Sequence, residues 1–150
     1  MRNLTIFSTA EEKVFSSKID GDSIYRCVNN YILSHNWGNI KVQHTHWNVI
    51  QTTFPNGNIE YLIFSDLKQD TKNYQTQTGA RHFCVFDSEF NSEREEDLFG
   101  KSVAECVTNI DYAPEYRCTH IFENIVKFTS KDGSKSYQIF TPMGSRWDIA

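Results

Sequence analysis

No run of about 20 apolar residues, the length a membrane-spanning helix requires, occurs in this chain of 150 residues. The opening Met1-Arg-Asn-Leu-Thr-Ile-Phe-Ser8 has no apolar signal core either. A soluble, cytoplasmic protein with no membrane partner is therefore the expectation. Basic residues form no stripe, so generic binding to the phosphate backbone of a nucleic acid is not expected. There is no phosphate-cradling glycine loop, no Cys-x-x-Cys pair, no Gly-x-Ser-x-Gly elbow and no His-Glu-x-x-His. Their absence removes the commonest nucleotide, redox, hydrolase and zinc-protease readings. Four cysteines could close two disulfides, but without a secretory signal reduced thiols are expected. Asn3-Leu4-Thr5 is then an accidental glycosylation sequon.

Charge is uneven within a modest total of −4. Residues 1–75 carry seven basic and seven acidic side chains, and residues 76–150 carry eight and twelve. Most of the excess lies in one segment, where Asp87, Glu89, Glu93, Glu95, Glu96 and Asp97 face a single Arg94. Such a run reads first as a solvated helix face and second as an acidic patch for a basic partner.

The chain resembles itself. Gly21-Asp-Ser-Ile-Tyr-Arg-Cys-Val-Asn-Asn-Tyr31 matches Gly100-Lys-Ser-Val-Ala-Glu-Cys-Val-Thr-Asn-Ile110 in Gly, Ser, Cys, Val and Asn. Asn48 to Phe64 matches Asn124 to Phe140 at a register three residues shorter. Self-similarity in preserved order is the signature of a duplicated unit. At this length one real core can form, burying roughly 68–70% of the surface that the unfolded chain exposes. The expectation is a single domain of two fused repeats, about 1–66 and 82–143, joined by a polar linker over 67–81 that acts as a tether.

Within each repeat the helix has the cleanest pattern. Ile24, Cys27, Val28, Tyr31 and Ile32 form one apolar stripe, and Val103, Cys106, Val107 and Ile110 repeat it. Asp20-Gly-Asp-Ser23 signals the first start, and Ser102 with Glu105 has capping-box spacing at the second. Cys27 and Cys106 are expected in the core as small hydrophobes. Strands are expected at Leu4–Ser8 and Phe83–Asp87 before the helices, with Val14-Phe15 adding a short extra strand in the first copy alone. Hairpins are expected after the helices, turning at Pro55-Asn-Gly-Asn58 and Lys131-Asp-Gly-Ser134. The fold class is thus α+β, two tandem β-α-β-β-β repeats related by pseudo-twofold symmetry, with helices packed on antiparallel sheet.

Candidate chemistry lies on the strands that follow the helices, expected at Ile40–His46 and Glu115–His120. Gln43-His-Thr-His46 aligns with Arg117-Cys-Thr-His120, keeping Thr-His in both. Alternation along a strand puts His44 and His46 on one face, and Cys118 with His120 on one face. If the two strands meet across a twofold axis, Thr45, His46, Arg117, Thr119 and His120 line a shared ligand site. His44, His46, Cys118 and His120 would also make a three-His, one-Cys donor set that suits tetrahedral Zn²⁺. His46 and His120 could serve as general acid and general base.

This two-lobed plan with one histidine per lobe resembles the 2H phosphoesterases, which implies a metal-independent hydrolase using His46 and His120. The order here is Thr-His, whereas that family has His, any residue, then Thr or Ser. The tandem plan also resembles the glyoxalase and bleomycin-resistance superfamily, with Glu60 and His82 near its metal positions. Trp147, in the tail Met143–Ala150, is expected to plug a groove of its own chain. The favoured reading by elimination is a small non-enzymatic binding or interaction protein, a monomer without cofactor. It would use the groove between repeats or the acidic segment to hold a small molecule or a protein.

Overall fold

The computed structural model describes residues 1–66, 80–110 and 117–142. Residues 67–79 of the tether expected over 67–81, the start of the strand expected at Glu115, and the tail with Trp147 lie outside these residues, and the last residue of that expected tether, Arg81, opens a strand. The chain divides into two compact units. The first holds β1 (Arg2–Ser8), β2 (Lys13–Ile19), α1 (Ile24–Ser34), β3 (Lys41–His46), β4 (Val49–Thr53) and β5 (Ile59–Ser65). The second holds β6 (Arg81–Asp87), β7 (Ser92–Leu98), α2 (Val103–Thr108), β8 (Arg117–Phe122), β9 (Ile125–Thr129) and β10 (Lys135–Pro142). No helix among the described residues is long and apolar enough to cross a membrane.

The fold is α+β and mostly β, with two five-stranded antiparallel sheets ordered β2-β1-β5-β4-β3 and β7-β6-β10-β9-β8. Each unit therefore runs β-β-α-β-β-β: the first unit's extra strand, expected at Val14-Phe15, runs longer as Lys13–Ile19, and the second unit has one as well, which the β-α-β-β-β plan did not include. The additional strand is β2 in one unit and β7 in the other. The reason is local: the chain reverses after β1 and after β6 through a left-handed residue, Glu12 at φ 52° and Asn91 at φ 48°. The reversal lays the next segment back along the strand it has just left. The acidic run is accordingly an edge strand and not a helix face.

Both helices start where a serine hydroxyl accepts an otherwise unpaired amide. Ser23 accepts from Arg26 at 3.2 Å and Ser102 from Glu105 at 3.1 Å. Ile24, Cys27, Val28 and Tyr31 form the buried stripe of α1, and Val103, Cys106 and Val107 that of α2. In the second unit this stripe packs on Phe83, Val85, Val126, Phe128 and Phe140, with Leu98, Ile110 and Cys118 at the margin.

The repeated Gly-x-Ser-x-x-x-Cys has a steric cause. A Cβ on Gly21 would lie 2.6 Å from the Cys27 amide nitrogen and 2.7 Å from its sulfur, and one on Gly100 would lie 2.6 and 2.8 Å from the same atoms of Cys106. Only glycine lets the strand end pass this close to the first helical turn. Each thiol then points back at the strand end it packs under, Cys27 Sγ donating to the Ile19 carbonyl at 3.7 Å and Cys106 Sγ to the Leu98 carbonyl at 3.9 Å. All four cysteines are free thiols, and burial pushes Cys27, Cys106 and Cys118 up. Cys27 and Cys106 thus sit in the core as expected, away from the thiolate form that reacts.

The hairpin turns follow the Asn-Gly and Asp-Gly signals. Gly57 and Gly133 have φ of 88° and 87°, and the preceding side chain accepts the amide two residues on, Asn58 to Asn56 at 3.0 Å and Ser134 to Asp132 at 2.9 Å. Hydrogen bonds from the Ser130 hydroxyl and from Ser134 hold the Asp132 carboxyl down at about 2.

Candidate functional site

The histidines of β3 and β8 are arranged by a β-bulge. In β3, His44 pairs with Ile50 and His46 with Val49, so Thr45 is the extra residue; in β8, His120 pairs with Val126 and Phe122 with Ile125, so Ile121 is extra. Cross-strand partners share a face and neighbours along β4 do not, so the bulge turns His46 onto the face opposite His44. The simple alternation through Ile40–His46 fails at that point. The same register pairs His44, not His46, with His120, and sets Phe122 at the place of His46. The contacts agree: His44 Nε2 lies 3.1 Å from the Trp47 carbonyl and His120 Nε2 lies 3.1 Å from the Glu123 carbonyl. The Thr-His alignment is therefore replaced by a His44/His120 correspondence, and each of these rings caps its own hairpin.

His44 is half-buried between α1 and β3. Its ring stacks on Tyr25 with centroids 4.4 Å apart, and Nδ1 lies 2.6 Å from the Asn29 carboxamide oxygen. Two acceptors thus face a ring whose pKa burial lowers, most strongly through loss of hydration. A neutral ring has one N–H, which donates to Trp47. Turning the Asn29 carboxamide over brings its amino group to Nδ1 and satisfies the neutral form. At the positions of Tyr25 and Asn29 the second unit has Ala104 and Thr108, and the Thr108 hydroxyl donates into its own helix, to the Ala104 carbonyl at 2.7 Å. His120 accordingly stays exposed.

The remaining strand candidates scatter. Thr45 Oγ1 is buried without a hydrogen-bond partner among the described residues, at a position that Ile121 fills in the second unit. Arg117 and Thr119 are exposed on the edge strand β8, on the face opposite Cys118 and His120, and Cys118 packs at the margin of the core. His44 and His46 do not converge within the first unit. Among the described residues no group of three or more His, Cys, Asp or Glu side chains is placed to hold a metal ion. Glu60 accepts from the Thr9 hydroxyl at 3.1 Å within the first unit.

Sequence reasoning missed one surface and took a second, the acidic segment, first for a helix face. The first is a depression of about 470 Å³ beside α1, lined by Gly21, Asp22, Tyr25, Arg26, Asn29 and Asn30. Arg26 Nε meets Asp22 at 3.2 Å there, and Asn30 donates to the Asp20 carbonyl at 2.7 Å. Aromatic and polar residues at i, i+3, i+4 and i+7 on the helix face away from the core were the available signal. The second surface is β7. Its partner β6 places Glu93, Glu95 and Asp97 opposite Phe86, Cys84 and His82, on the face away from α2. There His82 Nδ1 lies 2.6 Å from Asp97, Nε2 lies 3.7 Å from Glu95, and the Cys84 thiol donates to Glu93 at 3.4 Å. On the helix side Arg94 donates to Glu96 at 2.8 Å and to Gln138 at 3.0 Å. Among the described residues β7 has a strand neighbour on one side only, and Phe90 and Phe99 flank it with 71% and 62% of their surface exposed.

No family model, curated protein or solved structure matches the chain.

Proposed function

We propose that this protein is a non-enzymatic binding protein whose second unit takes up a basic, extended protein segment along the open edge of β7. The observation that carries the reading is the combination of a strand edge without a neighbour among the described residues, a row of carboxylates and exposed phenylalanines at both ends. An edge strand presents unpaired backbone groups that an added strand can satisfy, so main-chain hydrogen bonds supply affinity and side chains supply specificity. Charge alone would blunt such an edge. Phe90 and Phe99 add apolar area that a soluble surface otherwise avoids. The seven residues of β7, at about 3.3 Å each, span roughly 23 Å, and the two rings lie just beyond its ends, which suits a partner strand of about ten residues. Lysine or arginine at alternate positions would face Glu93, Glu95 and Asp97, with an apolar side chain near each end. The edge of the first unit, β2, carries Lys13 and Lys18 instead and repels such a segment.

On the same reading the two units are fused copies of one β-β-α-β-β-β half, joined through residues 67–79 in a single monomeric, cytoplasmic protein without a cofactor. Support comes from the shared strand order, serine caps, Gly-Cys contacts and bulges. The carboxylates and the phenylalanines belong to the second copy's divergence, where Glu11 and Asp20 of the first copy are replaced by Phe90 and Phe99.

Calorimetric titration with a ten-residue peptide of alternating Lys and Thr, carrying Leu at each end, tests the proposal. Saturable binding is expected, weakened at least tenfold between about 50 and 200 mM salt because exposed charges are screened. Glu93→Lys with Glu95→Lys should abolish it, and Phe90→Ser with Phe99→Ser should weaken it at every salt concentration. Equal binding by wild type and both double variants would overturn the reading.

A further inference from the structure

The depression beside α1 carries a separate inference, since its charged and aromatic residues have no counterpart of the same chemistry in the second unit, where only Gly100 and Asn109 keep the residue types. We propose that it binds a small zwitterion that carries one ammonium, one carboxylate and an apolar ring, the chemistry of a free aromatic amino acid. Its volume of about 470 Å³ falls within the range of small-molecule sites, ~300–1,000 Å³. The lining offers one anion and one cation, Asp22 and Arg26, so a ligand with either charge alone leaves one of them opposed. A zwitterion matches both.

The ion pair they form now is no obstacle. A single 3.2 Å contact between largely exposed side chains is easily exchanged for equivalent contacts to a ligand. Arg26 uses Nε for Asp22, which leaves its two terminal nitrogens to take a carboxylate as a fork. Beside it in the lining, Tyr25 supplies a flat apolar wall. It is 37% exposed, and stacking on His44 at 4.4 Å fixes the ring in place before any ligand arrives. Gly21 borders the depression as well, and its lack of a side chain answers to the close approach of Cys27 behind it. In the second unit the corresponding residues are Lys101, Ala104, Glu105 and Thr108. The ring is absent there and the two charges are exchanged, so the site belongs to the first unit alone.

Titration of the full chain with L-phenylalanine, followed by backbone amide shifts, tests the inference. 3-Phenylpropionate and phenethylamine serve as single-charge controls. Saturation by phenylalanine with shifts in residues 21–30 is expected, with each control at least tenfold weaker. Tyr25→Ala and Arg26→Gln alter exposed positions and should weaken phenylalanine at least tenfold while leaving the rest of the amide spectrum in place. Absence of saturation, equal binding of the controls, or unchanged binding in both variants would overturn it.

Discussion

At the scale of single residues, two positions decide more than their size suggests. Gly100 has ordinary backbone angles, so the usual φ argument does not apply to it, yet a methyl group there would stand 2.6 Å from the Cys106 amide nitrogen. Gly100→Ala should therefore destabilise by about 1–3 kcal/mol, read as a fall in the denaturation midpoint, as overpacking does. Adding Cys106→Ala should not restore stability, because the nearest atom is backbone. The letters Gly and Cys were visible in both halves of the sequence; the contact joining them was not, since nothing in a spacing of six residues reveals that a strand end folds back on a helical turn.

His44 sets a pH dependence. Burial lowers its folded pKa below the unfolded value of about 6.5, so the unfolded chain takes up the proton more readily as pH falls. Its contribution to stability is complete above that unfolded value and is lost as pH drops through the lower, folded one. Melting temperatures of wild type and His44→Gln should therefore converge as pH falls from 7 toward 5. A constant gap would contradict the assignment.

At the scale of elements, the helices and hairpins were legible and the strand register was not. Apolar spacing gave the stripes of both helices, and Asn-Gly and Asp-Gly marked both late turns. α2 nonetheless ends at Thr108, after six residues, which leaves little helix to share the loss of a cap. Ser102→Ala should cost about 1 kcal/mol and speed hydrogen exchange throughout α2. Ser23→Ala should affect the first turn of the 11-residue α1 more than its remainder. The bulges at Thr45 and Ile121 escaped notice because period-two alternation assumes an unbroken ladder. A usable sign existed: carrying the register that aligns Asn48 with Asn124 back along the strand aligns His44 with His120 directly. The acidic strand escaped for a different reason. Its charges carry no period-two apolar signal, and its strand state is imposed by the turn at Asn91 and by pairing with β6.

At the scale of the whole molecule, residue patterning placed the chain in the right class, α+β with antiparallel sheet, and localised the acidity to one segment. It did not show that this segment is a sheet edge bracketed by exposed rings, which is a property of topology. The functional account follows from that topology. Two sheets of the same strand order end in edges of opposite charge, with lysines on β2 and carboxylates on β7. The measurement that tests it most directly is an amide chemical-shift titration of the full chain with the basic ten-residue peptide, combined with hydrogen exchange of the complex. The account predicts that shifts concentrate in Ser92–Leu98 and that alternate amides of β7 become protected, as an added strand requires. Shifts spread over the acidic side chains without new backbone protection, or confined to the first unit, would contradict it.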